Sequence, residues 1–203
     1  MLNSVIRRAL PLLVATGLAF PQWAGAQSAG SGYIGASVGA SMASDFCDDE
    51  PGVTLIDCED QDAGFKLFAG YQFNANFAAE AAYVNLGEIS GRGSFLGTPF
   101  DLKFQASAMT VQGVGILPFR EGALFGKAGL SFWNLDTRGI VAGAPGSASD
   151  DGVDVTIGLG AQFAIGGNLG IRAEWDFFPD FGDDDTGEED IHLFSVGIVV
   201  WFR

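Results

Sequence analysis

Polar and apolar positions alternate with a period of two along most of the chain, most clearly from Gly64 to Gly87. Phe65, Leu67, Ala69, Tyr71 and Phe73 fall on one side, and Gly64, Lys66, Phe68, Gly70 and Gln72 on the other. Asn74-Ala75-Asn76 turns the chain, after which Phe77, Ala79, Ala81 and Tyr83 take the apolar side and Ala78, Glu80 and Ala82 face back. Alternation on both sides of a short Asn-rich turn predicts a β-hairpin. In a soluble sheet the apolar face would cover a core. In a membrane barrel it meets lipid, and the small, charged face fills a narrow lumen.

The pattern predicts further strands at about 32–41, 101–117, 123–135, 152–164, 169–178 and 191–202. The 152–164 stretch alternates most cleanly, with Val153, Val155, Ile157, Leu159, Ala161 and Phe163 opposite Asp154, Thr156, Gly158, Gly160 and Gln162. In 101–117 the parity conflicts: Leu102, Phe104, Ala106 and Ala108 suggest one register, Met109 and Val111 the other. A bulge near Ser107 to Met109 would reconcile them. With the hairpin this makes eight strands. Their connections alternate long and short, with long loops at about 42–62, 88–100, 136–151 and 179–190. Short turns at one end and long loops at the other are the mark of an outer-membrane barrel. Aromatics flank the aliphatic bands: Phe73, Phe77, Phe119, Phe163 and Phe202 near the short turns, and Tyr83, Phe132, Trp175 and Phe177 nearer the loops. As a set they read as interfacial girdles. The expected fold class is all-β, an eight-stranded antiparallel up-and-down transmembrane β-barrel.

Composition agrees with this picture. Charged residues make up only 17% of 203, while glycine (30) and phenylalanine (18) are abundant. Beyond the N-terminus no apolar run reaches the roughly 18 residues of a spanning helix. The formal net charge of −15 argues against nucleic acid, which needs a basic footprint. Arg7 and Arg8, the apolar run from Ala9 to Phe20 and Ala24-Gly25-Ala26 fit a cleaved signal peptide, giving residues 1–26 as leader and 27–203 as barrel. Cys47 and Cys58 would then be exported, where a disulfide is the expected state and two free thiols the alternative.

The stretches GFKLFAGYQFNANFAAEAAYVNLG, ALFGKAGLSFW and GIRAEWDFF, and the ending Val200-Trp201-Phe202, resemble the OmpA-like transmembrane domain family in order and spacing over essentially the whole mature chain. The resemblance implies an outer-membrane barrel with a charged, mostly filled interior. A lumenal Glu and Arg are characteristic of the family, and Glu80 and Arg172 match them. Nothing follows the last strand, so the peptidoglycan-binding domain of many relatives is expected to be absent. Arg203 after Phe202 departs from the aromatic ending usual in the barrel-assembly signal.

The parity places Lys66, Glu80, Lys127, Asp154, Arg172, Glu174 and Asp176 inside. Eight strands leave a bore just wide enough for side chains to fill, and unpaired charges there would be costly. Opposite charges should therefore pair, around Glu80, Lys127, Arg172 and Glu174. They form either a structural plug or a gate whose partner exchange opens a narrow water path. An enzyme is not expected: the single histidine, His192, sits three residues from Ser195 and so on the opposite face of a strand. The acids of 45–62 and 180–190 read as solvated loop charge. Divalent-cation binding by Asp183, Asp185, Glu188 and Asp190 is the weaker alternative, lacking EF-hand spacing. No cofactor is expected. Expected partners are outer-membrane lipid, lipopolysaccharide and, during insertion, the barrel assembly machinery, with the protein a monomer, its loops extracellular and both termini periplasmic. The competing functional readings are a small low-conductance pore and a soluble lipocalin-like carrier. The carrier would need the opposite polarity of faces.

Overall fold

The computed structural model describes residues 30–44, 47, 51–183 and 187–202, with the backbone alone at 180, 182, 183, 187 and 188. The predicted leader and its cleavage site lie outside the described residues. Nine strands are described: β1 (Ser31–Ala43), β2 (Val53–Glu59), β3 (Gln61–Gln72), β4 (Phe77–Phe95), β5 (Thr98–Phe119), β6 (Gly122–Val141), β7 (Ala144–Gly166), β8 (Leu169–Asp183) and β9 (Gly187–Phe202). All but β2 form a closed antiparallel ring. Each pairs with its neighbours in sequence order, and the β1–β9 seam closes it from Gly32↔Phe202 to Ala43↔Ile191. No helix among the described residues is long and apolar enough to cross a membrane. The outward face is exposed hydrocarbon, with Val38, Leu67, Val111, Leu130, Val155, Leu159 and Val196 all presented to the surroundings.

Three sequence expectations need correction. The stretch at 42–62 is not all loop: β2 lies within it and pairs with the far part of β4, from Val53↔Phe95 to Glu59↔Ser90. Cys47 and Cys58 are bonded, with Cα atoms 5.9 Å apart, and so tie this strand down. In the chain-entropy model such a short closure contributes about 2–3 kcal/mol. Reduction, or Cys58→Ser, should open the 47–58 stretch to protease while the barrel itself stays folded. An unchanged cleavage pattern would show that pairing with β4 holds β2 without the bond.

The stretches 88–100 and 136–151 are not loops either, and most of 179–190 is strand as well: β8 runs to Asp183 and β9 begins at Gly187, paired at Phe181↔Glu189. From Gly87 onward β4 pairs with β5 without interruption to Phe95↔Thr98, and β6 pairs with β7 throughout to Val141↔Ala144. Two-residue turns close both hairpins, with positive φ at Leu96 and Gly97 and at Ala142 and Gly143. That is the turn geometry matching strand twist, but its usual Asn-Gly or Asp-Gly signature is missing here. A strand crosses a bilayer in roughly 9–11 residues, so β5, β6 and β7, at 22, 20 and 23 residues, project far beyond it. Exposed ion pairs lie across this projection, Arg92–Asp101 at 2.9 Å and Lys103–Glu88 at 2.6 Å. The hydrogen bond to Glu88 holds the Lys103 ammonium above its ordinary pKa range.

The third correction concerns β5. Its alternation is unbroken against β6, and the bulge lies instead on β4, between Asn85 and Gly87. The conflict in the sequence has another cause. Beyond Ser107 toward the loops, Lys103 and Gln105 face out and Leu102, Phe104 and Ala106 face in. On the turn side, Met109 and Val111 face out while Thr110 and Gln112 are buried inside. Polarity reverses because the surroundings change from water to lipid. The reversal marks the membrane surface, and the same change occurs on β6 between Phe132 and Asn134.

Inside, large rings face glycines directly across the strands: Tyr33↔Gly70 and Phe68↔Gly35 between β1 and β3, and Phe125↔Gly160 and Trp133↔Gly152 between β6 and β7. A Cβ at Gly160 would come within 2.3 Å of the Phe125 ring. The rings lie over bare backbone, as in aromatic rescue of glycine.

Candidate functional site

Six charged side chains meet in mid-barrel, all 3% exposed or less. Lys66 comes from β3, Glu80 from β4, Lys127 from β6, and Arg172, Glu174 and Asp176 from alternate positions of β8. Period-two geometry puts all three β8 groups on one face. Glu174 is the hub. Its Oε2 accepts from Lys66 Nζ at 2.6 Å and from Lys127 Nζ. Its Oε1 lies 2.7 Å from Arg172 Nε, at ion-pair distance but out of line for a hydrogen bond. Asp176 bridges the two lysines, at 2.6 Å to Lys66 and 2.7 Å to Lys127. Arg172 grips Glu80 with both terminal nitrogens, at 2.7 and 3.1 Å. Such a fork is the strong form of the arginine–carboxylate pair. Lys127 Nζ lies 3.5 Å from Glu80 Oε1.

Three cations against three carboxylates make the cluster formally neutral. Charges this deep are tolerable only when paired and hydrogen-bonded. The walls add to the pairing: the Arg172 guanidinium lies 4.2 Å from the Phe125 ring centroid and 4.5 Å from that of Phe68. Cations over aromatic faces gain most when desolvated. The Tyr33 hydroxyl donates to Glu80 Oε2 at 3.0 Å. Gly158 leaves the room the cluster needs, since a Cβ there would sit 2.7 Å from Lys127 Cε.

Of the seven lumenal charges expected from sequence, these six come together. Asp154 does not join them; it accepts a hydrogen bond from the Trp133 indole instead. The roles of Tyr33, Phe68 and Phe125 were not read from sequence. The glycines set opposite rings, as at Gly35 and Gly160, are the signal that could have found them. His192 faces outward, stacked on Phe177 at 4.8 Å and accepting from Trp175 Nε1 at 3.2 Å, while Ser195 is buried inside. No group of three His, Cys, Asp or Glu is placed to hold a metal ion among the described residues. Asp185, and the side chains of Asp183 and Glu188, lie outside them.

Residues 27–203 match the family model described as the OmpA-like transmembrane domain. The chain is 29% identical over 142 residues to outer membrane protein A of Yersinia pseudotuberculosis, covering 66% of this chain and 38% of that one. It thus spans well under half the length of this relative. Solved structures share the fold. Ail of Yersinia pestis superposes with a TM-score of 0.56 at 16% identity, covering 86% of this chain and 99% of that one. OprG of Pseudomonas aeruginosa gives 0.56 at 12% identity, covering 87% and 98%. With the family model matched over residues 27–203 and the eight-strand ring shared with these solved barrels, the chain belongs to the OmpA-like transmembrane domain family of outer-membrane barrels.

Proposed function

We propose that the protein is a closed, monomeric outer-membrane barrel that displays a β-sheet platform at the cell surface. Its long hairpins face outward, and both described ends of the ring lie on the periplasmic side. The observation that carries this reading is the neutral cluster of Lys66, Glu80, Lys127, Arg172, Glu174 and Asp176, which spans the bore and pairs every charge. A structural plug needs no more than this, and the cluster holds no nucleophile-and-base pair for catalysis. The projecting parts of β4 to β7, extended by β2, form the surface through which the protein would meet outside partners. Membrane lipid and lipopolysaccharide would contact the outward hydrocarbon and its rim, with the assembly machinery engaged only during insertion.

Planar-bilayer recording of the native protein tests this directly. The expected trace shows no discrete unitary conductance, and Glu80→Gln or Arg172→Gln introduces one. Steady unitary currents from the native protein, altered by either substitution, would establish the pore instead. Protease added to intact cells should cut within the hairpin tips near Leu96 and Ala142, while cleavage confined to broken cells would reverse the orientation.

A further inference from the structure

The far end of the projecting sheet carries no charge. Residues 51–56, 93–100 and 139–149 contain no Asp, Glu, Lys or Arg, in a chain of net charge −15. The register brings these stretches together, since Val53 pairs with Phe95 and Phe100 with Val141. Three turns, at 51–52, 96–97 and 142–143, therefore stand side by side at the end of the sheet. The tips are apolar on both faces: Phe95, Phe100 and Val141 share one, and Pro99, Ile140 and Pro145 the other. Leu96, on the middle turn, is 78% exposed. An apolar patch on a water-facing surface marks a protein or membrane interaction site.

Three observations favour a lipid surface over a protein groove. First, backbone donors are withdrawn from the tips. The Leu96 amide donates to the Gly52 carbonyl at 3.0 Å and the Ala142 amide to the Pro99 carbonyl at 2.9 Å, so turn N–H groups that solvent ordinarily satisfies are taken up between neighbouring turns. Pro51, Pro99 and Pro145 have no amide hydrogen to present. Hydrocarbon demands this, because backbone groups there have to be satisfied internally. Second, Leu96 and Ala142 adopt positive φ, where asparagine or glycine is easier to place. The turns keep apolar side chains despite that strain, and strained residues cluster at functional positions. Third, the depth fits. The Arg92–Asp101 ion pair lies four residues behind Leu96. At a rise of about 3.3 Å per residue and a tilt of roughly 45°, this leaves an uncharged depth of about 9 Å. Peripheral apolar segments enter the headgroup–acyl boundary by about 5–10 Å.

We propose that the three tips dip together into a phospholipid bilayer other than the one the barrel spans, as far as the Arg92–Asp101 pair. The inference rests on the reading of the long hairpins as a surface platform and names what that platform meets. The target bilayer has neutral headgroups. Behind the tips, residues 57–60, 88–92, 101–103, 136–138 and 150–151 carry eight acids against three bases, which an anionic surface would repel.

Flotation of the barrel in nanodiscs with phospholipid vesicles tests the proposal. Phosphatidylcholine vesicles should carry the loaded discs and not empty ones, and phosphatidylglycerol vesicles should carry fewer. Leu96→Asn combined with Ala142→Asn gives both turns the Asn-Gly sequence they lack. That barrel should unfold no more easily than the native one, while its binding to phosphatidylcholine falls by at least about tenfold. Undiminished binding by the variant overturns the proposal, as does native binding no stronger than that of empty discs. A polarity-sensitive dye on Thr98→Cys, the native cysteines being bonded to each other, should shift to the blue when these vesicles are added. Vesicle binding without that shift would place the contact elsewhere and overturn it too. Loaded discs that pair with each other in the absence of vesicles, and separate in the variant, would assign the tips to a second copy instead. Discs leave both ends of the barrel in solvent, so flotation reads the tips whichever way the barrel faces in the cell. Orientation is decided separately, by protease on intact cells.

Discussion

Glu174→Gln should destabilise the barrel by about 3–5 kcal/mol, the cost of stripping one partner from a buried ion pair. The expected loss is high in that range because Glu174 touches Lys66, Lys127 and Arg172 together. Removing its charge leaves three cations and two carboxylates, all buried. Urea unfolding of the protein inserted in lipid vesicles reads the effect. Lys66→Met combined with Glu174→Gln restores neutrality and should recover part of the loss, giving a clear coupling energy in a double-mutant cycle. A cost below about 1 kcal/mol is typical of solvent-exposed pairs. It would mean that water reaches the cluster, and the plug would have to be abandoned in favour of a wet bore.

Leu159→Arg is the second large effect. Leu159 is 59% exposed and central in the outward series of β7, from Val153 to Phe163. A lipid-facing arginine at the midplane of a barrel costs about 2–4 kcal/mol, falling to about 0–1 near the interfaces. The same substitution at Val153, next to the polarity reversal, should therefore cost far less. The gradient along one strand is the test. Equal costs at the two positions would mean that the outward band does not face a membrane.

Much of this was legible in the sequence because two periodicities coincide. Between the membrane surfaces, lipid outside and paired charge inside give strand faces of opposite character, so the faces of Phe65 to Gln72 and of Val153 to Ala164 could be read residue by residue. The reading failed where the environment changed along a strand. At Ser107 the inside turns apolar as the outside turns polar, which mimics a bulge. The hairpin tips were missed because Leu96-Gly97 and Ala142-Gly143 lack the turn residues that announce a two-residue turn. β2 was missed because its alternation is short and broken at Ile56, where its pairing slips.

The rings set over glycines bear on how the chain finds its alignment during assembly. A one-residue slip between strands exposes charge to lipid and rejects itself. A two-residue slip keeps every side chain on its proper face, so polarity cannot detect it. Sliding β3 by two against β1 would put Tyr33 opposite Phe68 or Gln72 rather than Gly70, and ring or side chain would meet where only a hydrogen was allowed for. Moving β7 by two would set Trp133 against Asp154 or Asp150 in place of Gly152. The glycines thus act as notches that accept one alignment, and they discriminate against the errors that the alternation of faces lets through.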